Sequence, residues 1–281
     1  MNKYIRHILL CAIGAFVLPN LIAQEHYDIF DISFGASTGS FQSDCLAPVG
    51  LEFTAGNFSF EWSEIRTKGE INACLYGQFG INQTDKYNYF INLFGAKRIE
   101  QNQIRVKASW VWHLTIPANH WHLRIGPELT AEGLWQYMAP ANHTNIWFIP
   151  YMHLYMAIGP TIKTDFHSHR FGIECQLSFP ICLFGVFPQS NNLIGKSHYG
   201  QTRSYIIQQA IRPNTFAGIW NYINPILETS VSYRIYDSPP MSIDLYIKYT
   251  PNYVYYNLKD NIASYLSHNI SLGCQFVFNN P

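Results

Sequence analysis

Apolar and polar residues alternate one by one over many separate segments of this chain. In segment 104–114 the apolar positions are Ile104, Val106, Ala108, Trp110, Trp112 and Leu114, and the polar positions between them are Arg105, Lys107, Ser109 and His113. Successive side chains of a β-strand point to opposite faces, so a period of two predicts a strand with one apolar and one polar face.

The same alternation predicts ten strands: 51–60, 70–79, 87–95, 104–114, 121–132, 147–162, 171–179, 227–235, 241–249 and 270–278. Residues 27–34 are left over, and they predict either an extra strand, paired with a twelfth from 37–45, or an arm in the periplasm or the lumen. Pro127, Pro150 and Pro160 predict bulges or strand ends, because proline cannot donate a ladder hydrogen bond.

The last predicted strand carries a recognisable motif. Its pattern, polar-x-Gly-x-x-aromatic-x-aromatic, is formed by Ser271, Gly273, Phe276 and Phe278. These eight residues resemble the C-terminal β-signal of bacterial outer-membrane barrels. The resemblance implies an all-β, transmembrane, antiparallel up-and-down β-barrel in the outer membrane of a Gram-negative envelope. It also implies two partners, the outer-membrane lipid and the barrel-assembly machinery that reads this strand.

The lengths of the connections agree with such a barrel. Short links at 116–119, 164–168 and 237–240 alternate with long ones at 133–145 and 184–221. Transmembrane barrels have short periplasmic turns and longer extracellular loops. The longest segment, 184–221, is expected to cap the barrel, constrict it or dock a partner. Because an unpaired strand edge is excluded from lipid, the first strand is expected to pair with the last.

The chain begins with a pattern typical of a secretory signal peptide. Lys3 and Arg6 precede a short apolar stretch at 8–18, and cleavage after Ala23 fits the sequence. The predicted organisation is therefore a signal peptide at 1–23, an N-terminal arm or extra strands at 24–48, and an outer-membrane barrel at 49–281.

Composition narrows the class of protein further. Charged residues make up 13% of the chain and aromatic residues 16%, which suits a barrel with aromatic girdles. Basic and acidic residues are equal in number, 18 each, so no nucleic-acid partner is implied. Five of the six cysteines remain after cleavage, an odd number without paired spacing, so no disulfide framework is predicted.

The polar faces of the predicted strands contain charges of both signs. The candidates for lumen-lining residues are Glu70, Arg105, Lys107, Arg124, Glu128, Glu132, Arg170, Glu174, Glu228, Arg234, Asp244 and Lys248. One interpretation is that they pair across a narrow lumen and fill it. The other is a porin-like channel for a small polar solute. The predicted role is accordingly a narrow channel or a scaffold for a surface or secretion complex.

No enzyme signature, cofactor or metal site is predicted. A barrel phospholipase requires His-x-Ser, which the sequence lacks, and Asp165 with His167 has no second acidic pair of the kind that omptin proteases use. His113, His120 and His122 lie close in sequence, but no third metal ligand is evident. Two alternatives stay open: a lipid-acting barrel enzyme, and a secreted β-sandwich that would bury Trp110, Trp112 and Leu245 between two sheets.

Overall fold

The computed structural model describes residues 26–43, 47–66, 68–82, 96–114, 121–140, 152–168, 170–187, 212–258 and 261–280. The strands are β1 (His26–Ser43), β2 (Ala47–Arg66), β3 (Gly69–Asn82), β4 (Ala96–Leu114), β5 (Trp121–Pro140), β6 (Met152–His167), β7 (Phe171–Ser178), β8 (Cys182–Phe187), β9 (Arg212–Gly218), β10 (Tyr222–Ile223), β11 (Ile226–Ser238), β12 (Met241–Leu258) and β13 (Asn261–Asn280). Within the described ranges no helix is long and apolar enough to span a membrane.

The strands form one closed antiparallel barrel. Each strand from β1 to β6 pairs with the next, β12 pairs with β13, and β13 pairs with β1 along its whole length. β7 and β8 occupy one position beside β6, while β9, β10 and β11 occupy the following one. The barrel therefore has ten strand positions, which confirms the predicted architecture.

The chain enters the barrel earlier than the alternation indicated. The first strand is His26–Ser43 and not a segment beginning at Leu51, so β1 is the strand that closes the seam with β13. The predicted strand at 87–95 lies outside the described residues. The barrel thus has the ten strand positions that were predicted, but residues 26–43 form one of them.

The two faces of the wall have opposite character. Exposed apolar side chains cover the outside, including Phe34, Val106, Trp112, Leu245 and Leu272. Inside, buried polar and charged residues form one part of the lining and buried apolar and aromatic residues form another. Trp112 and Leu245, which a β-sandwich would bury, are 39% and 44% exposed. The closed barrel excludes the sandwich alternative.

Two prolines that predicted strand interruptions lie opposite each other inside continuous strands. Pro127 of β5 is the register partner of Pro160 of β6, and both strands continue through them. The ladder between β4 and β5 has no pair at Gly126 and Pro127. A Cβ on Gly126 would lie 1.8 Å from the carbonyl oxygen of Trp110, so only glycine allows this close approach.

The two ends of the barrel differ. One end, called the turn end, holds both described termini, His26 and Asn280, and the strand ends that flank 67–68, 115–120, 168–170 and 239–240. The opposite end, called the loop end, holds the long links at 83–95, 141–151 and 188–211, and also two short ones at 44–46 and 259–260. The strand ends that flank 83–95, 141–151 and 188–211, the three connections of more than ten residues, therefore all lie at the loop end.

Candidate functional site: the barrel interior

Eleven of the twelve predicted lumen residues lie on the inner face, and the twelfth does not. The eleven are Glu70, Arg105, Lys107, Arg124, Glu128, Glu132, Glu174, Glu228, Arg234, Asp244 and Lys248. Arg170 is instead exposed in the link between β6 and β7. β7 begins at Phe171, so the alternation of a strand does not fix the direction of the preceding side chain.

The half of the barrel nearer the turn end is called the turn half. Glu70 is the acceptor around which its inner charges are arranged. It is 1% exposed, and it accepts hydrogen bonds from Arg124 and from Lys163 Nζ, the latter at 2.8 Å. Arg124 also donates to the buried Asp165, and Lys163 is 3.2 Å from Glu174. Two cations and three carboxylates from four strands therefore compensate one another's charges.

Two further ion pairs join strands that are not neighbours. Lys107 of β4 pairs with Glu228 of β11, with three strand positions between them along the wall. Lys248 of β12 pairs with Glu61 of β2 at 3.1 Å, with two positions between them. These side chains reach across the lumen and not along the wall.

A third group lies between the charged residues and the loop end. Arg105 Nε donates to Glu132 at 2.6 Å, and His153 Nε2 is 3.2 Å from the other carboxylate oxygen of Glu132. Above them, Tyr265 lies within 3.3 Å of the side chains of Gln78 and Gln103. Tyr265 and Gln103 also belong to strands that are not neighbours, with three positions between them.

The half of the barrel nearer the loop end is called the loop half, and its interior is apolar and aromatic. The aromatic cluster consists of Phe41, Phe53, Ala55, Leu134, Tyr155, Ala157, Leu183, Ala217, Tyr222, Val254, Tyr256, Ala263 and Tyr265. Phe53 stacks on Tyr265 with ring centroids 5.5 Å apart, and Tyr155 meets Tyr222 edge to face at 5.6 Å. Asn224 donates to both of the latter hydroxyls, at 3.0 and 2.8 Å. All members are buried, so this half is packed like a protein core.

The glycine of the C-terminal motif has a packing role at the seam. A Cβ on Gly273 would lie 2.3 Å from the ring and hydroxyl of Tyr246, so the ring occupies the space that a side chain would fill. The Tyr246 hydroxyl donates to Asp31 of β1. Phe276 and Phe278 are half-buried, and Phe278 packs edge to face on the outward Phe30.

A polar cavity of about 180 Å³ remains at the turn end. Arg124, Lys163, Glu174 and Asp244 contribute charges to its wall, and Ser230, Ser232 and His167 contribute further polar groups. A smaller space of about 30 Å³ lies beside Lys107 and Glu228. That volume is enough for one or two water molecules.

Several inner residues are absent from the predicted lumen lining. Lys163, Asp165 and His167 follow the predicted end of their strand at 162, but β6 continues to His167. Asp31 lies in β1, within the segment 27–34 that stood outside the ten predicted strands, and Glu61 follows the predicted end of its strand at 60. Extending the period of two in both directions would have found all five.

Histidine, cysteine and acidic side chains are the groups that could bind a metal ion or form a disulfide. Among the described residues, no group of three or more His, Cys, Asp or Glu side chains could hold a metal ion. His122 lies 3.3 Å from Asp165, and His120 lies outside the described residues. Cys74, Cys175, Cys182 and Cys274 are unpaired.

The barrel, with its apolar outside and polar inside, has the architecture of bacterial outer-membrane β-barrels. No family model and no curated protein sequence matches the chain. Similar solved structures include the outer membrane protease OmpT of Escherichia coli, with a TM-score of 0.44, 8% identity, and coverage of 94% of this chain and 99% of that one.

Two further similar structures are outer-membrane or surface proteins. One is an outer membrane channel of Pseudomonas putida F1, with a TM-score of 0.40, 7% identity, and coverage of 94% of this chain and 100% of the other. The second is Neisserial surface protein A, with a TM-score of 0.30, 11% identity, and coverage of 88% and 95% respectively. The three proteins differ in function, and at these identities the likeness concerns the fold alone.

Proposed function

We propose that this protein is an integral outer-membrane barrel with a closed lumen, which acts as a membrane-embedded scaffold for a surface or secretion complex and not as a solute channel. The observation that carries the proposal is the set of side-chain bonds that cross the lumen between strands that are not neighbours.

The outer face supports a position in lipid. Exposed apolar side chains recur at alternate positions of β1, β4, β12 and β13, the pattern expected of a lipid-facing wall. Several strands have 18 to 20 residues, more than the roughly 9–11 needed to cross a bilayer. The strands are thus long enough to cross the membrane and project beyond it.

The inner face argues against conduction. Lys107 with Glu228, Lys248 with Glu61, and Lys163 with Glu70 connect three different pairs of distant strands. Nearer the loop end, the aromatic cluster fills the lumen with buried side chains. A channel needs a continuous water path, and two successive layers of different chemistry obstruct one.

Electrical conductance tests this directly. The purified protein, inserted in planar lipid bilayers beside a general porin as positive control, should give no steady conductance above that of protein-free membrane. Deleting 188–211 should leave the conductance at background, because side chains of the strands close the lumen. Steady conductance steps of the intact protein would refute the closed barrel, and steps that appear only after the deletion would show that the loop closes it.

The C-terminal motif provides a separate test of membrane assembly. Phe278→Asp should lower the amount of folded protein in the outer-membrane fraction, measured by the heat-modifiable shift in gel mobility. Phe278→Leu keeps an apolar side chain at the same place and serves as the control. Normal membrane levels of the aspartate variant would contradict the role assigned to Ser271, Gly273, Phe276 and Phe278 as an assembly signal.

A further inference from the structure

Three residues at the turn end form a row across three neighbouring strand positions. His167 of β6 and Ser232 of β11 are both register partners of Gly172 on β7. A Cβ on Gly172 would lie 2.5 Å from Ser232 Oγ and 3.0 Å from His167 Nδ1. The hydroxyl and the imidazole therefore flank the gap that the missing side chain leaves.

The second nitrogen of the same imidazole faces a carboxylate. His167 Nε2 lies 2.9 Å from Asp165 Oδ2, and Asp165 is 1% exposed and receives a further hydrogen bond from Arg124. A carboxylate accepts only, so Nε2 carries the proton of the neutral ring and Nδ1 carries the lone pair. That lone pair is on the side of Gly172 and Ser232, as a general base for the hydroxyl requires.

We propose that Ser232, His167 and Asp165 form a serine-hydrolase site that acts on small carboxylic esters at the turn end. This activity is additional to the scaffold role and does not depend on it. The three residues belong to two distant parts of the sequence and contain no His-x-Ser. Only the closure of β6, β7 and β11 into one wall brings them together.

The site opens into the turn-end cavity. Both Ser232 and His167 line this space of about 180 Å³, and the imidazole side chain is 52% exposed. Pockets for drug-sized ligands usually have roughly 300–1,000 Å³, so this one suits a short acyl group. Ile29 and Val277 supply apolar wall for that group. Arg234, whose Nε donates to Asp244 at 2.8 Å, adds a positive charge to the same wall.

The reaction follows the usual two half-reactions of a serine hydrolase. Ser232 Oγ attacks the ester carbonyl carbon while His167 Nδ1 takes the hydroxyl proton. The bond from carbon to the alkoxide oxygen then breaks, and Nδ1 returns the proton to the leaving alcohol. Water next attacks the acyl group, gives a proton to Nδ1, and the carboxylic acid leaves as Ser232 Oγ is reprotonated. One ester and one water yield one acid and one alcohol.

The chain contains a matched control for each reacting group. His122 contacts the same Asp165 oxygen at 3.3 Å, and its side chain, 57% exposed, is as accessible as that of His167. Unlike His167, it does not lie beside the gap at Gly172 that Ser232 also faces. Ser178 is an inner serine of β7 outside this cavity, where its hydroxyl donates to Glu128 at 2.8 Å. A specific site must depend on His167 and Ser232 but not on His122 and Ser178.

Covalent labelling of the folded, full-length protein with a small alkyl fluorophosphonate tests the site. Serine attack expels fluoride and leaves a phosphonylated side chain that mass spectrometry locates. Labelling is expected at Ser232, lost in Ser232→Ala and in Gly172→Ala, and unchanged in Ser178→Ala and His122→Gln. His167→Gln should be labelled at least about 100-fold more slowly than wild type, because the general base is gone. The heat-modifiable gel shift verifies that each variant is folded.

Two results would overturn the proposal: folded wild-type protein that takes up no label at Ser232, or a His167→Gln variant that labels as fast as wild type. Ser232→Cys, labelled with an alkyl iodide, provides a second measurement, since its alkylation should also be slowed by His167→Gln.

Asp165 acts through His167 and is a positioning residue. In Asp165→Asn the amide permits the wrong imidazole tautomer, so kcat for p-nitrophenyl acetate should fall while KM stays unchanged. A fall in folded protein with an unchanged kcat per folded molecule would assign Asp165 a structural role alone.

Discussion

The turn half and the loop half of the barrel close the same lumen by different physics. Around Glu70 the interior consists of charges, each held by a directional partner on another strand. In the aromatic cluster around Phe53 it consists of packed rings and aliphatic side chains. Dispersion and burial depend on shape, whereas a buried charge depends on one particular partner. The two halves should therefore tolerate different substitutions.

The largest effect is expected where one acceptor serves two cations. Glu70→Gln keeps the shape but removes the charge, and it leaves Arg124 and Lys163 short of compensation. Removing one partner of a buried ion pair costs about 3–5 kcal/mol, so unfolding by urea in lipid vesicles should shift by about 4 kcal/mol.

Glu174→Gln is the matched control for that prediction. Glu174 also contacts Lys163, at 3.2 Å, but its side chain is 31% exposed. Its loss should cost less than about 1 kcal/mol because water replaces the partner. Equal losses for the two glutamines would mean that the network around Glu70 is solvated, and the contrast with the aromatic cluster would disappear.

The corresponding test in the loop half uses two substitutions of Phe53. Phe53→Ala empties part of the aromatic cluster, and a cavity left by a large side chain costs about 3 kcal/mol or more. Phe53→Leu keeps most of the volume and should cost less than about 1.5 kcal/mol. The two halves differ most in this respect, because the conservative change Phe53→Leu should be tolerated whereas the conservative change Glu70→Gln should not. A leucine variant as unstable as the alanine variant would show that Phe53 depends on its stacking on Tyr265 and not on volume.

The division of the wall into an inner and an outer face could be predicted from the sequence, because side chains of a strand alternate between the two faces with a period of two. The alternation at 104–114 placed Arg105 and Lys107 inside and Trp112 outside. It failed for β1 near the loop end, where the outward positions Thr38 and Ser40 are polar and give no apolar face to count. The order of the strands followed from the up-and-down topology once the seam was assumed.

The partners of the inner residues could not be read in the same way. Lys107 and Glu228 are 121 residues apart, and Lys163 and Glu70 are 93 apart. Which inner charges meet depends on barrel diameter and stagger, and these are properties of the closed sheet as a whole. The same limitation hid the approach of Ser232 to His167, since each residue alone is an ordinary member of a polar face.

A smaller net effect is expected when an ion pair is replaced as a unit. Lys107→Met alone should cost about 3 kcal/mol, because Glu228 is left without its cation. Adding Glu228→Leu should restore stability to within about 1 kcal/mol of wild type, since apolar replacements of a buried pair are often neutral. A double variant as unstable as the sum of the single ones would mean that the pair interacts with other groups, and that charge itself is needed in this half.

The smallest effect is expected at the rim of the turn end, where a charged pair is not part of the closed interior. Arg66 donates to Glu64 at 2.7 Å within the same strand, and its side chain is 48% exposed. Such exposed pairs contribute roughly 0.2–1 kcal/mol, and salt screens them over about 10 Å at 0.1 M. Arg66→Ala should therefore lower stability by less than about 1 kcal/mol, and the difference from wild type should shrink when the urea titration is repeated at high salt. Glu70→Gln should show no such salt dependence, because its partners are buried, so an equal response of the two variants to salt would place both pairs in contact with water.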